Sequence, residues 1–504
     1  MSDTRDFRPF VPTPAYPRAA ALQGRDARAH GDASLVNPRP RDLLFAPWDK
    51  LYHEPFVGVT TDGHPLAGLF TLAPNGAPTA AMVQAAAALA DALPPAQRRA
   101  LMLPIDAREW RRWNNTEMYV YRHGLRLEEV SEAVRASILA VVRASLSAPG
   151  FEKTRDVMRL NHFLGELAGN TRVLGEWSYN FTLFGLPSAG SPWGWQLMGH
   201  HLALNCLVIG GQMVLSPAFM GAEPNYADTG PWAGRRLFQD EENGGLALMR
   251  SLDATQRAQA IVYHASEGGD LPPGRRHPAD QLHLGGAFQD NRVVPYEGVP
   301  VAGFDRAQRR RLLDLVDAYV APLPDGPRKA RIDEVERHLE ATRFCWIGGT
   351  GEEDTFYYRI QSPVVMIEFD HHSGVFLTNA HPAKFHIHTI VRTPNGNDYG
   401  ADLLRQHYRR DHHEGARPGI LGEQIHHRDD RPRAHDHGPG HSHPHDHDHP
   451  HGHDHSHPHG RDHSHPHGHD HDHPHGQGHD HAHGHAHPQA AAAIKAAGTD
   501  TRKN

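Results

Sequence analysis

Cysteine is scarce: Cys206 and Cys345 are the only two in a chain of 504 residues. Each lies inside an apolar strand-like run, so both read as small buried side chains and form neither a disulfide nor a zinc-thiolate set. Long hydrophobic runs are missing too. None approaches the roughly 18 apolar residues of a membrane span, and Met1-Ser-Asp-Thr-Arg-Asp-Phe7 carries charge where a signal sequence would be apolar. A soluble cytoplasmic protein without a membrane partner is expected. There is no basic surplus, since 51 Lys and Arg face 59 Asp and Glu for a net charge of -8, and no nucleic-acid partner is expected. Also absent are the Gly-x-x-x-x-Gly-Lys-Ser/Thr phosphate loop, the Gly-x-Ser-x-Gly elbow, His-Glu-x-x-His and Gly-x-Gly-x-x-Gly. Nucleotide hydrolysis and the common hydrolase templates lose ground accordingly.

What is present divides the chain by composition. Residues 1–45 are rich in Pro, Arg and Ala without periodicity and read as an extended arm. Residues 46–413 carry the patterns of a globular domain, with two subdomains meeting near residue 300 as an option. Helical periodicity runs over 79–103, broken at Pro94-Pro95, and over 127–146, 153–167, 234–252, 254–264 and 305–320, with Asp253 placed as an N-cap. Strand-like runs cover 177–184, 193–209, 212–216, 356–360, 364–370 and 385–391. Strands clustered in hairpin-like pairs with helices grouped between them predict an α+β fold, with mixed or antiparallel sheet and helices around it. Residues 414–434 form a charged linker, 435–487 a low-complexity tail expected to be disordered, and 488–504 a disordered end.

That tail holds 24 of the chain's 45 histidines in 53 positions. In the stretch His441, His443, His445, His447, His449, His451, His453 and His455 an imidazole recurs at every second residue, with aspartates between. Imidazole nitrogen suits Zn, Ni, Co and Cu(II), and no soft sulfur is offered that would select Cu(I). Several weak sites for a divalent transition metal, Zn first with Ni or Co as alternatives, are expected. Without metal chemistry, the same run is a polyelectrolyte that charges below neutrality.

Three body segments carry further candidates. In Pro192-Trp-Gly-Trp-Gln-Leu-Met-Gly-His-His-Leu-Ala-Leu-Asn205, a strand over 200–208 would put His200 on one face and His201 with Asn205 on the other. In Phe385-His-Ile-His-Thr389 a strand sets His386 and His388 on one face, roughly 6.6 Å apart by strand rise. Joined by His201 or His200, they would give three nitrogen ligands and an open position, which lowers the pKa of a bound water. Alone, a His-x-His is as well explained by a surface strand. In Tyr357-Tyr-Arg-Ile-Gln-Ser-Pro-Val-Val-Met-Ile-Glu-Phe-Asp370, the carboxylates Glu368 and Asp370 share a strand face and are candidates for a general base, a further ligand or the acceptor that orients a ligating His; Arg359 is a candidate partner for a carboxylate. A solvated strand face with a structural Arg explains them equally. Glu223 and Asp398 carry lower weight. Trp110, Trp113, Trp193 and Trp195 read as core or pocket wall.

The run Pro192-Trp-Gly-Trp195 through Gly199-His-His-Leu-Ala-Leu-Asn205, with Pro217-Ala-Phe-Met-Gly-Ala-Glu-Pro224, resembles the domain of unknown function 3500 family. So do Tyr357-Tyr-Arg-Ile-Gln361, Ile367-Glu-Phe-Asp370, His386-Ile-His388 and Asp398-Tyr-Gly-Ala-Asp-Leu-Leu404 to His407-Tyr408. The resemblance covers about residues 100–412 and implies that the three segments belong to one domain, hence that His200 or His201 can share a site with His386 and His388. It implies no activity. The sequence departs from the family pattern at Leu197-Met198, where an acidic residue is usual. The tail lies outside the resemblance and is similar to those of nickel and zinc chaperones and importers. Two functions remain open: a metal-dependent enzyme, hydrolytic in type and acting on a small molecule, with a tail that captures metal; or a non-catalytic store, metallochaperone or sensor that docks a metal-homeostasis partner.

Overall fold

A computed structural model describes residues 5–268 and 270–411. Twelve strands form one sheet: β1 (Met102–Leu103), β2 (Leu125–Arg126), β3 (Tyr179–Phe184), β4 (Trp193–Gly199), β5 (Leu202–Ile209), β6 (Gln212–Ala222), β7 (Ile261–Tyr263), β8 (Val299–Pro300), β9 (Arg343–Gly348), β10 (Phe356–Gln361), β11 (Met366–His371) and β12 (Ile387–Arg392). The order β1-β3-β4-β5-β6-β12-β11-β10-β9-β7 contains two antiparallel meanders, β3 to β6 and β9 to β12, fused where β6 pairs antiparallel with β12. Only β1 beside β3 and β7 beside β9 are parallel, so the sheet is mixed and the fold is α+β. It runs unbroken from one meander to the other through the β6 to β12 pairing.

The strands read as nearly continuous apolar runs because both sheet faces are covered; every residue of β3, β5, β10, β11 and β12 is buried. On one face Trp346, Tyr358 and Phe369 stack, with ring centroids 6.0 and 5.1 Å apart. The helices end where short polar residues stop them. Asp253 closes a capping box with Gln256 ahead of Ala254–Ala260, and Asp305 does the same with Gln308 ahead of Arg306–Val320. Pro94-Pro95 separates Thr79–Ala92 from Pro95–Leu101.

The first 45 residues are not an extended arm. Pro17–Leu22 and Ala27–Val36 are helical, the second capped by Asp26, and Phe7 is buried among Phe163, Tyr226 and Phe385. Helices of one to three turns show too few apolar repeats to register as periodic, and they hold here by docking. The strand expected over 200–208 also starts later: His200 and His201 form the two-residue turn between β4 and β5, with His201 at φ 62. Strand alternation therefore does not govern their orientation.

Candidate metal centre

The site is a row across the sheet. Gly221 on β6 pairs with His388 on β12, which pairs with Asp370 on β11, which pairs with Tyr357 on β10. Directly opposed residues project to the same face, so His388, Asp370 and Tyr357 stand side by side. The row continues at the turn, where the Gly221 N–H donates to the His201 carbonyl at 2.8 Å. Gly221 is required there by close approach. A Cβ at this position would lie 2.8 Å from His388 Cδ2 and 3.2 Å from His201 Cδ2, so the missing side chain is the space into which both rings lean.

His201, His386 and His388 thus converge from two remote parts of the chain, their ligand atoms all within 4.8 Å of one another. All three are buried. His386 Nδ1 lies 2.9 Å from the Ser373 carbonyl; that oxygen can only accept, so the proton sits on Nδ1 and the Nε2 lone pair faces His388. His386 Nε2 and His388 Nε2 are 3.2 Å apart. Two ligands at 2.0–2.1 Å on a tetrahedral ion stand about 3.3 Å apart, so this spacing matches one edge of a coordination shell. Burial pushes the pKa of His201, His386 and His388 well below the ordinary imidazole value, and neighbouring histidines push the same way. They are neutral at pH 7, the state that binds metal. The residues present fit a divalent transition metal.

Asp370, His372 and His388 form a second such group. Burial raises the Asp370 carboxyl, but His372 and His283 more than offset this and leave it below its ordinary value. Glu223 backs the first group: its carboxylate accepts from the Val375, Phe376 and Leu377 N–H groups and lies 3.8 Å from His386 Nδ1. Burial pushes it up to about 7 against those three N–H bonds.

The other sequence candidates have different partners. The His200 ring stacks on His201 at 3.8 Å, but its Nδ1 is engaged by Asn161 Oδ1 at 2.8 Å. Glu368 accepts from the Leu284 N–H, the Gly285 N–H and the Tyr357 hydroxyl, so it anchors the segment that covers the site. Arg359 pairs with Glu297 at 2.7 Å. Asp398 takes Arg392, Ser216 and the Thr393 N–H, and Asn205 bonds Gln196 and the Pro217 carbonyl. Trp110 stacks on Phe184 and Trp113 donates to Tyr399, as core residues do. Both cysteines are buried free thiols. The tail ligands from His441 onward lie outside the described residues.

His372 and His283 are the residues that sequence reasoning passed over. His372 carried a signal, the run Asp370-His-His372 at the end of a recognised strand. His283 carried none, because it comes from the irregular segment that crosses the site face. A cavity of about 270 Å³ is lined by Ala218, Met220, Thr389 and Val391. These alternate with the site residues along β6 and β12, so that cavity lies on the opposite face.

A family model described as Protein of unknown function (DUF3500) matches residues 75–401. The chain belongs to this family. The match spans both meanders up to the helix after β12 and so contains every ligand of the two groups, while the histidine-rich tail falls beyond it. No curated protein and no solved structure matches the chain. Among the described residues no helix is long and apolar enough to cross a membrane.

Proposed function

We propose that the protein is a metal-dependent enzyme, hydrolytic in type, whose ion is held by His201, His386 and His388 and supplied by the histidine-rich tail. The observation that carries this reading is the convergence of three neutral imidazoles, one of them from a turn residue at φ 62. A non-glycine in that conformation costs of order 1–3 kcal/mol and persists where function holds it. The ion, three-coordinate to protein, would polarise a bound water or a substrate carbonyl or phosphoryl oxygen. Asp370 is the carboxylate on this face that stays available to a proton or to metal, because Glu368 is already satisfied by three donors. Zinc is the first choice for an all-nitrogen set, with nickel or cobalt next.

A second reading has its own support. His201, His386, His388, Asp370 and His372 are at most 3% exposed, and the cavity of about 270 Å³ lies on the other face. A sealed site gives a substrate no way in, which favours a store, metallochaperone or sensor whose metal is held by the tail. Elemental analysis of the full chain and of a chain lacking residues 435–487 separates the two. Stoichiometric metal retained without the tail locates it in the body, as the enzyme reading requires; loss of all metal with the tail leaves the store.

A further inference from the structure

The second ligand group is more than an echo of the first. Asp370 Oδ1 lies 3.1 Å from His372 Nε2 and 3.2 Å from His283 Nε2. All three atoms are buried, yet none has a hydrogen-bond partner, because the distances are short while the directions are wrong. Buried polar atoms this close normally turn to bond one another. Crowding without bonding leaves Asp370 Oδ1 and His372 Nε2 open to an ion, and these two, not His283, group with His388.

His388 joins the two groups. Its Nε2 faces His386, and its other nitrogen, Nδ1, is buried and bonds nothing. Its ring lies 3.7 Å from that of His372 and 5.0 Å from that of His201, so it stands between them. The His372 N–H donates to the His386 carbonyl at 2.8 Å, which fixes the two histidine segments side by side. The intervening His371 turns away to Glu242, leaving Asp370 and His372 on the site face.

We propose that the centre is dinuclear: one ion on His201, His386 and His388, a second on Asp370, His372 and His388, with the His388 ring bound to one ion through each nitrogen. The proposal rests on the reading of this cluster as a metal centre. Binding at both nitrogens removes the single N–H proton of the neutral ring, which leaves to solvent, and the resulting imidazolate with the Asp370 carboxylate offsets two of the four positive charges. His372 Nε2 has no hydrogen-bond partner, which leaves its lone pair open to an ion.

The test counts zinc. Full-length chains carrying no substitution, His201→Gln, His372→Gln or His388→Gln are loaded with zinc, passed over a chelating resin and analysed for zinc per chain. Ions on the tail are common to all four and drop out of the differences. Loss of one ion in His201→Gln, one in His372→Gln and two in His388→Gln is expected, and a loss of two in any variant itself requires a pair. If His372→Gln loses none while the other two lose one each, or if all three lose one, the pair is overturned and a single ion stands. If no variant loses zinc, the metal-centre reading falls with it. Circular dichroism of the metal-free chains confirms the fold, and asparagine replaces glutamine at any position where it does not hold.

Discussion

Replacing Gly221 by alanine puts a carbon 2.8 Å from His388 Cδ2, 2.9 Å from the Ile387 carbonyl and 3.2 Å from His201 Cδ2. Carbon atoms in comfortable contact stand about 3.5–4.0 Å apart, so the His388 ring must retreat by about 0.7 Å or more. The Ile387 oxygen belongs to the β12 backbone and cannot move with it. Overpacking of this kind costs about 1–3 kcal/mol in the metal-free protein. Binding constellations need their ligands held within about 0.5 Å, so the displacement exceeds what the site tolerates. We expect zinc affinity to fall by about 10- to 100-fold, or about 1.4–2.7 kcal/mol. Urea unfolding with chelator and with saturating zinc separates the two costs. Zinc raises stability only through binding the native state better than the unfolded one, and zinc on the tail is common to both chains. The reasoning is refuted if Gly221→Ala lowers metal-free stability yet keeps the whole zinc-dependent increment, for then the rings do not need that space to bind.

Four other outcomes follow from the same contacts. Glu368→Ala leaves the Leu284 and Gly285 N–H groups and the Tyr357 hydroxyl without an acceptor in the core and should cost about 3 kcal/mol or more by urea melt, with zinc content unchanged; a large zinc loss at full stability would return Glu368 to the metal. Asp290→Ala removes the ion-pair partner of Arg111 and one of those of Arg392, all buried, and should cost about 3–5 kcal/mol; a cost below about 1 kcal/mol by the same melt would show these charges to be satisfied otherwise. Asp305→Ala breaks one capping box and should cost about 1 kcal/mol, checked by thermal unfolding. The buried Glu117 carboxyl is raised by burial but lowered further by its bond to His30, to about 2. A native pKa below the unfolded value means that this contribution is intact above pH 4.5 and lost as pH falls toward 2. Glu117→Gln should therefore flatten the fall of melting temperature across that window, and an unchanged profile would exclude the pair as its cause.

The strands and most helices were legible because their signals are local: an apolar run, a proline pair, an Asp just ahead of a helical run. His386 and His388 were legible for the same reason, since i, i+2 spacing on a strand fixes their common face without knowledge of anything else. His201 was found by its motif but placed by a wrong rule. A strand rule was applied to a turn, and its left-handed backbone is a consequence of how β4 meets β5, which no pattern in Gly199-His-His-Leu202 announces. Glu368 was read from its own strand without its partners. Its carboxylate on a strand beside a histidine site looked like a proton carrier, but the segment around Leu284 that occupies it is irregular and remote in sequence. His283 arrives on that same segment. Periodicity cannot foresee which loop will cross a sheet face.

The position of the site in the topology gives metal a second consequence. His201 belongs to the β3 to β6 meander, while His386, His388, Asp370 and His372 belong to the end of the β9 to β12 meander, and the two halves share one strand pairing, β6 with β12. An ion on His201, His386 and His388 ties together residues 185 positions apart in sequence at that junction. Closing so long a loop is a cost that grows only slowly with its length, so an ion that holds it closed stabilises the joined sheet by nearly its whole preference for the native over the unfolded chain. Metal bound here would act on the fold as well as on any substrate. The β6 to β12 pairing should accordingly be the part of the sheet whose amide hydrogens gain most protection from exchange when zinc is added, and equal protection of all strands would show that the ion does not act at this junction.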